Sequence, residues 1–177
     1  QEVVNNGRRM LLLGSVFLIF LALSYIENTL FLKILDSLLK NQFLAVAMIF
    51  THNIIVISLI VLGLTFYVDL MALDSFKREK HGRVVLEHPR TFAIVFTFVI
   101  LFLSLLKGTK LFYGGISIEL LPLILLGSSP IGIIEGYGIY LTVKNTLSRI
   151  SMKGLVHIYV VFLIAAIIEV TIINLLA

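Results

Sequence analysis

Long apolar runs make up most of the chain, and short polar segments separate them. Five such runs cover residues 10–26, 43–68, 91–106, 120–143 and 155–176. A helix needs about 20 apolar residues to cross a bilayer, and a backbone inside lipid must satisfy its hydrogen bonds within its own segment or a closed barrel. The pattern therefore predicts an all-α fold, a polytopic transmembrane helical bundle of about five spans. It forms a single integral membrane domain over residues 1–177.

Composition supports a membrane protein and excludes other classes. Hydrophobic residues make up 59% of the chain and charged residues 14%, whereas a soluble domain has about 45–50% and about 25%. A small domain has too much surface to hide this many apolar side chains from water. The net charge of +4 is distributed between the apolar runs, so no basic stripe exists for nucleic acid. The expected partners are the lipid bilayer and either further copies of the chain or other membrane subunits.

Basic residues predict the orientation of the spans. With the N-terminus inside, the inner segments contain ten Lys and Arg residues and the outer segments contain four. This satisfies the positive-inside rule and makes residues 69–90 a cytoplasmic basic loop. We therefore expect a multi-pass protein of the cell membrane, with a cytoplasmic N-terminus and an external C-terminus. A signal peptide is the alternative for run 10–26, and segment 30–40 fits either an interfacial amphipathic helix or an extension of the first span.

A few ionisable and amide side chains lie inside the apolar runs. His52 and Asn53 lie in the second run, Glu135 in the fourth and Glu169 in the fifth. Such residues are costly in a bilayer and mark candidate functional sites. Glu135 is interpreted either as a carboxyl group that exchanges a proton or binds a solute, or as a structural acid. Counting about 1.5 Å per residue gives His52 and Glu169 a similar depth, so they either pair or bond separate backbone carbonyl groups.

The fourth run carries signals for a broken helix and for close packing. Pro130 lacks a backbone N–H and clashes with the preceding turn, which predicts an interruption there, with Ser128 and Ser129 bonding the freed carbonyl groups. Small residues allow two helices to approach closely, so we expect a tight helix–helix contact at the glycines that follow. These glycines are Gly132, Gly136 and Gly138.

Familiar catalytic and metal-binding patterns are absent from the sequence. The chain has no cysteine and only four histidines, which removes thiolate chemistry and leaves no metal-ligand spacing. It also lacks the zinc-protease, nucleophile-elbow and phosphate-loop motifs. The sequence therefore predicts a protein that is not an enzyme, with no metal site and no cofactor.

One combination of residues resembles a known family. Asn53 is followed ten residues later by Gly63, and a later span carries Pro130-x-Gly132-x-x-Glu135. This pattern resembles the stage II sporulation protein M family of small multi-pass membrane proteins. Members of that family often have His where this chain has Ile131. The resemblance implies a non-enzymatic membrane protein, and in spore formers such a protein is a scaffold for a complex that remodels the cell wall.

Two functional hypotheses follow. The first is a scaffold or subunit of a membrane complex, with Pro130, Gly132 and Gly136 shaping the contact. The alternative is a small transporter or permease subunit that moves a proton or polar solute along the fourth span, using Glu135, His52 and Asn53.

Overall fold

The computed structural model describes residues 2–38, 41–71, 80–113, 119 and 121–176. They form six helices in the order α1 (Glu2–Leu38), α2 (Gln42–Met71), α3 (Lys80–Glu87), α4 (Pro89–Tyr113), α5 (Leu121–Leu147) and α6 (Met152–Leu176). No strand occurs among these residues, so the all-α prediction is confirmed for them. Residues 72–79 of the predicted basic loop lie outside this set, while its described part contains the short helix α3.

Within the described part of the chain, three helices are long and apolar enough to cross a membrane. They are Gln42–Met71, Pro89–Leu106 and Met152–Ile172, from α2, α4 and α6 respectively. In α1 the apolar stretch is the shorter Leu11–Glu27, although the helix itself continues to Leu38. Segment 30–40 therefore extends the first helix as far as the structure describes it.

Polar side chains mark the helix ends. The Asn41 side-chain oxygen accepts a hydrogen bond from the Leu44 amide at 3.2 Å and caps the start of α2. The Ser151 hydroxyl accepts one from the Gly154 amide at 3.1 Å and caps α6. Between α5 and α6, Arg149 has a φ of 64°, a left-handed conformation that helps to reverse the chain. These signals fix where α2 and α6 begin.

Helix α2 lies at the centre of the packing. It contacts α1, α5 and α6, while α5 also contacts α4 and α6. The main core is formed by buried residues of α2, α4, α5 and α6, namely Ile57, Leu64, Ala93, Ile139, Val143, Ile158 and Phe162. Helix α1 packs chiefly against α2, and an ion pair from Arg9 Nε to Asp69 Oδ2 at 3.1 Å joins these two helices near the start of α1.

The predicted interruption near Pro130 is not confirmed, because α5 is assigned as one helix with Pro130 inside it. A proline cannot donate to the carbonyl four residues earlier, which here belongs to Leu126. The Ser129 hydroxyl donates to that carbonyl oxygen instead, at 3.1 Å. A local side-chain hydrogen bond thus replaces the missing backbone bond, as the sequence suggested for Ser129. The Ser128 side chain lies outside the described part of the chain.

The glycines differ in what they contact. A Cβ atom on Gly138 would lie 2.6 Å from the Phe162 ring of α6. On Gly136 it would lie 2.9 Å from a methyl group of Leu101 in α4, and on Gly63 it would lie 3.3 Å from Phe17 of α1. These three glycines therefore allow close helix contacts inside the chain. Gly132 differs from its prediction, since a Cβ there would meet nothing within 4 Å.

Candidate functional site: a polar cavity in the helical bundle

A cavity of about 370 Å³ lies between α2, α4, α5 and α6. Most of its wall is apolar, with side chains such as Val56, Ile100 and Phe162. Five polar or ionisable residues also line it, and together they define what we call the polar cavity: His52, Asn53, Ser104, Glu135 and Glu169. All four residues predicted as the intramembrane polar site thus reach one space.

Helix geometry explains why these residues meet. The start of α2 packs against the end of α6 through Ala45 and Val170. Helices α5 and α6 contact each other and are joined by a short segment, so the start of α5 lies at the same end of the bundle. At about 1.5 Å per residue, His52 lies about 15 Å from that end, Glu135 about 21 Å and Glu169 about 10 Å. The polar cavity is therefore well inside the bundle, a turn or more from any helix end.

His52 has a carboxyl partner that the depth count did not suggest. Its Nδ1 atom lies 2.7 Å from Oε2 of Glu27 in α1, and the predicted pairing with Glu169 stays a prediction. Both side chains are largely buried, with 27% of the histidine and 14% of the glutamate side chain exposed. His52 therefore contacts α1 through one ring nitrogen and also lines the polar cavity.

Two buried polar atoms near the cavity lack a protein partner among the described residues. Asn53 is only 7% exposed, and its Nδ2 atom has no hydrogen-bond partner. The second carboxyl oxygen of Glu27, Oε1, is also buried without one. Unpaired buried polar groups are costly and are commonly satisfied by internal water. The polar cavity is large enough to hold several water molecules.

A second space adjoins the polar cavity. It is a groove of about 570 Å³ between α4 and α5, and it shares Ser104, Glu135 and Glu169 with the cavity. Ser129 and Gly132 of α5 line its other part. Because Gly132 has no side chain, the groove stays open at this position. Glu135 and Glu169 therefore face two connected spaces rather than a packed interface.

The wall of the cavity contains two acidic residues, Glu135 and Glu169, and no Lys or Arg among the residues described. The ion pairs within the described part of the chain are Arg9–Asp69 and Glu27–His52, and neither Glu135 nor Glu169 takes part in one. The residues that the structure describes contain no group of three or more His, Asp and Glu side chains placed to hold a metal ion. The arrangement is suited to exchanging protons or binding a donor-rich solute.

Two residues of this region were not predicted as part of it. Glu27 ends the first apolar run, so the sequence marks it as a boundary residue, although α1 continues beyond it. Ser104 is a lone serine in an apolar helix, and such a residue usually bonds its own backbone. One feature of the sequence could have indicated Glu27. Its carboxyl group lies at the edge of the first apolar run, and the next helix carries a histidine.

The fold and the cavity define a helical membrane protein with a polar interior. Comparisons with models of protein families, with curated proteins and with solved structures find no match. The resemblance to the stage II sporulation protein M family therefore stays a prediction. The function has to be inferred from the chain's own cavity and packing.

Proposed function

We propose that this chain is a small transporter or permease subunit that moves protons through the polar cavity. The observation that carries the proposal is that Glu135 of α5 and Glu169 of α6 line one cavity with His52 of α2. Chains of Asp, Glu and His side chains inside a membrane are the usual components of proton relays. These residues lie too deep in the bundle to be explained as boundary residues.

The membrane arrangement is part of the same proposal. Helices α1 and α5 would cross the membrane together with α2, α4 and α6, giving five spans. The start of α1 and the basic segment near α3 would face the cytoplasm, and the end of α6 would face outside, in the cell membrane. The count of basic residues supports this orientation. The polar cavity then lies nearer the outer face, between about 10 and about 21 Å from the outer helix ends at 1.5 Å per residue.

Proton flux into liposomes tests the proposal. Purified protein would be reconstituted with a pH-sensitive dye inside, and a potassium gradient with valinomycin would drive proton entry. We expect flux above that of protein-free liposomes for the native chain. Glu135→Gln and Glu169→Gln should lower it to the protein-free level, because an amide does not exchange protons as a carboxyl group does. Glu87→Gln, which changes an exposed carboxyl group of α3, is the matched control and should leave the flux unchanged.

A scaffold role is the second candidate, and Gly132 is the observation that favours it. A Cβ there would meet nothing within 4 Å, and the nearby Ile133 and Leu126 are 73% and 78% exposed. This apolar face of α5 is open to another helix, from a second copy or another subunit. Gly136 and Gly138, in contrast, are already occupied by contacts within the chain. If the native chain gives no flux while Gly132→Leu breaks up a complex purified in mild detergent, the scaffold role is favoured over transport.

A further inference from the structure

The hydrogen bond between Glu27 and His52 joins the contact between α1 and α2 to the polar cavity. Glu27 belongs to α1, which packs chiefly against α2, and the described residues that line the cavity include none from α1. His52 both approaches Glu27 and lines the cavity. Among the described residues, its imidazole ring thus contacts Glu27 and also lines the cavity that Glu135 and Glu169 line.

We infer that Glu27 and His52 form a proton relay that exchanges protons between the α1–α2 contact and the polar cavity. The inference rests on the proposed function, and it names the route by which protons reach the cavity. Among the residues that the structure describes, the charged or titratable groups that packed elements place around His52 are Glu27 of α1, Glu135 of α5 and Glu169 of α6. The polar group that α4 adds from its described residues is the hydroxyl group of Ser104.

The transfer can be written so that protons and charges balance. Protonated Glu27 gives its proton to Nδ1 of neutral His52, which leaves a carboxylate and an imidazolium at 2.7 Å. The imidazolium then loses its other proton, from Nε2, to water in the cavity or to a carboxylate of Glu135 or Glu169. The neutral ring that remains carries its hydrogen on Nδ1. Loss of the Nδ1 proton to water and uptake of a proton from water at Nε2 restore the starting tautomer.

The surroundings of Glu27 fit such exchange. Its Oε1 atom is buried and has no hydrogen-bond partner among the described residues, so it is available to a water molecule. The carboxyl group of Asp69 also has a buried oxygen without a hydrogen-bond partner among these residues. What distinguishes Glu27 is its contact with a residue that lines the polar cavity.

The chain contains a matched control for the role of anchoring. Arg9 and Asp69 form the other ion pair between α1 and α2, at 3.1 Å, and neither residue lines the polar cavity. Variants Arg9→Gln and Asp69→Asn thus weaken the same helix contact without changing the relay. Variants His52→Asn and Glu27→Gln keep a hydrogen-bonding side chain at each position, but their amide groups do not take up and release protons.

The test is the dye-based liposome assay with these variants. We expect His52→Asn and Glu27→Gln, singly and together, to lose at least about nine-tenths of the native flux, which corresponds to about 1.4 kcal/mol in barrier height. Glu27→Asp, which keeps a carboxyl group, should retain part of the flux even if His52→Asn proves too unstable to purify. Arg9→Gln and Asp69→Asn should keep the native flux.

Three outcomes would overturn the relay. If Glu27→Gln and His52→Asn keep the native flux while Glu135→Gln loses it, the relay is wrong and the proposed function stands. If all four variants of the two ion pairs lower the flux equally, the pairs only anchor α1. If the native chain conducts no protons, the relay and the proposed function both fail.

Discussion

The hydrogen bond from Ser129 to the Leu126 carbonyl allows a sharp prediction about how α5 tolerates its proline. Pro130 removes the N–H that would bond this carbonyl, and the Ser129 hydroxyl lies 3.1 Å from the carbonyl oxygen. The substitution Ser129→Ala deletes this donor and leaves the carbonyl unpaired. In Pro130→Ala, the new N–H at position 130 can bond the same carbonyl, so the hydroxyl is no longer needed.

The size of the effect follows from the cost of one hydrogen bond in α5, which crosses the membrane in the proposed arrangement. A net hydrogen bond contributes about 0.5–1.5 kcal/mol, and an acceptor left unsatisfied away from water costs about 1–3 kcal/mol. Measured interhelical bonds in a membrane protein average only about 0.6 kcal/mol, which favours the lower part of this range. We expect Ser129→Ala to lower the free energy of unfolding by about 1–2 kcal/mol in the native chain, and by less than about 0.5 kcal/mol in the Pro130→Ala background.

A double-mutant cycle measures this coupling. The four proteins (native, each single variant and the double variant) would be unfolded in mild detergent by titration with dodecyl sulfate, with helix content followed by circular dichroism. The predicted coupling energy is about 1 kcal/mol or more, within the range seen for residues in direct contact. If Ser129→Ala costs the same in both backgrounds, the hydroxyl does not replace the missing backbone bond, and the explanation for a continuous α5 is wrong.

The remaining predictions concern packing and helix ends, and the same unfolding assay checks all of them. Gly138→Ala should lower the free energy of unfolding by up to about 2 kcal/mol, since the cost of overpacking, about 1–3 kcal/mol, exceeds the gain in helix propensity. Gly132→Ala, with an open neighbourhood, should leave the free energy of unfolding unchanged or raise it slightly. Equal effects of the two substitutions would refute the packing assignment. Ile57→Ala, at a fully buried position, should cost about 2–5 kcal/mol, whereas Ile133→Ala, on the exposed face, should cost less than about 1 kcal/mol. Asn41→Ala should cost about 0.5–2 kcal/mol through loss of the α2 cap, and no loss would show that the cap is dispensable.

Much of the fold could be predicted because lipid restricts the possible backbone structures. A run such as 43–68 is too long and too apolar for any element other than a helix in a membrane, and α2 covers it completely. The helix ends were less predictable. Helix α1 extends 11 residues past Glu27, since local helix formation does not stop where hydrophobicity stops.

The sequence predicted which residues belong to the candidate site better than it predicted which of them contact each other. His52, Asn53, Glu135 and Glu169 were evident because each costs free energy inside an apolar run. Which residues contact each other depends on the lateral order of the helices and on the rotation of each helix about its axis, and neither follows from counting depth. Depth alone leaves open whether His52 pairs with Glu169, and it does not indicate the hydrogen bond between His52 and Glu27 on the neighbouring helix α1.

The polar cavity is separable from the interactions that hold the bundle together. Residues such as Ile57, Val143 and Ile158 are fully buried and join α2, α5 and α6 without help from the polar groups. Glu135 and Glu169 are partly buried and form no ion pair within the described part of the chain. Ionisable side chains from three helices that gather around one space in this way are the reason for proposing proton exchange, because such exchange needs titratable groups that water can reach.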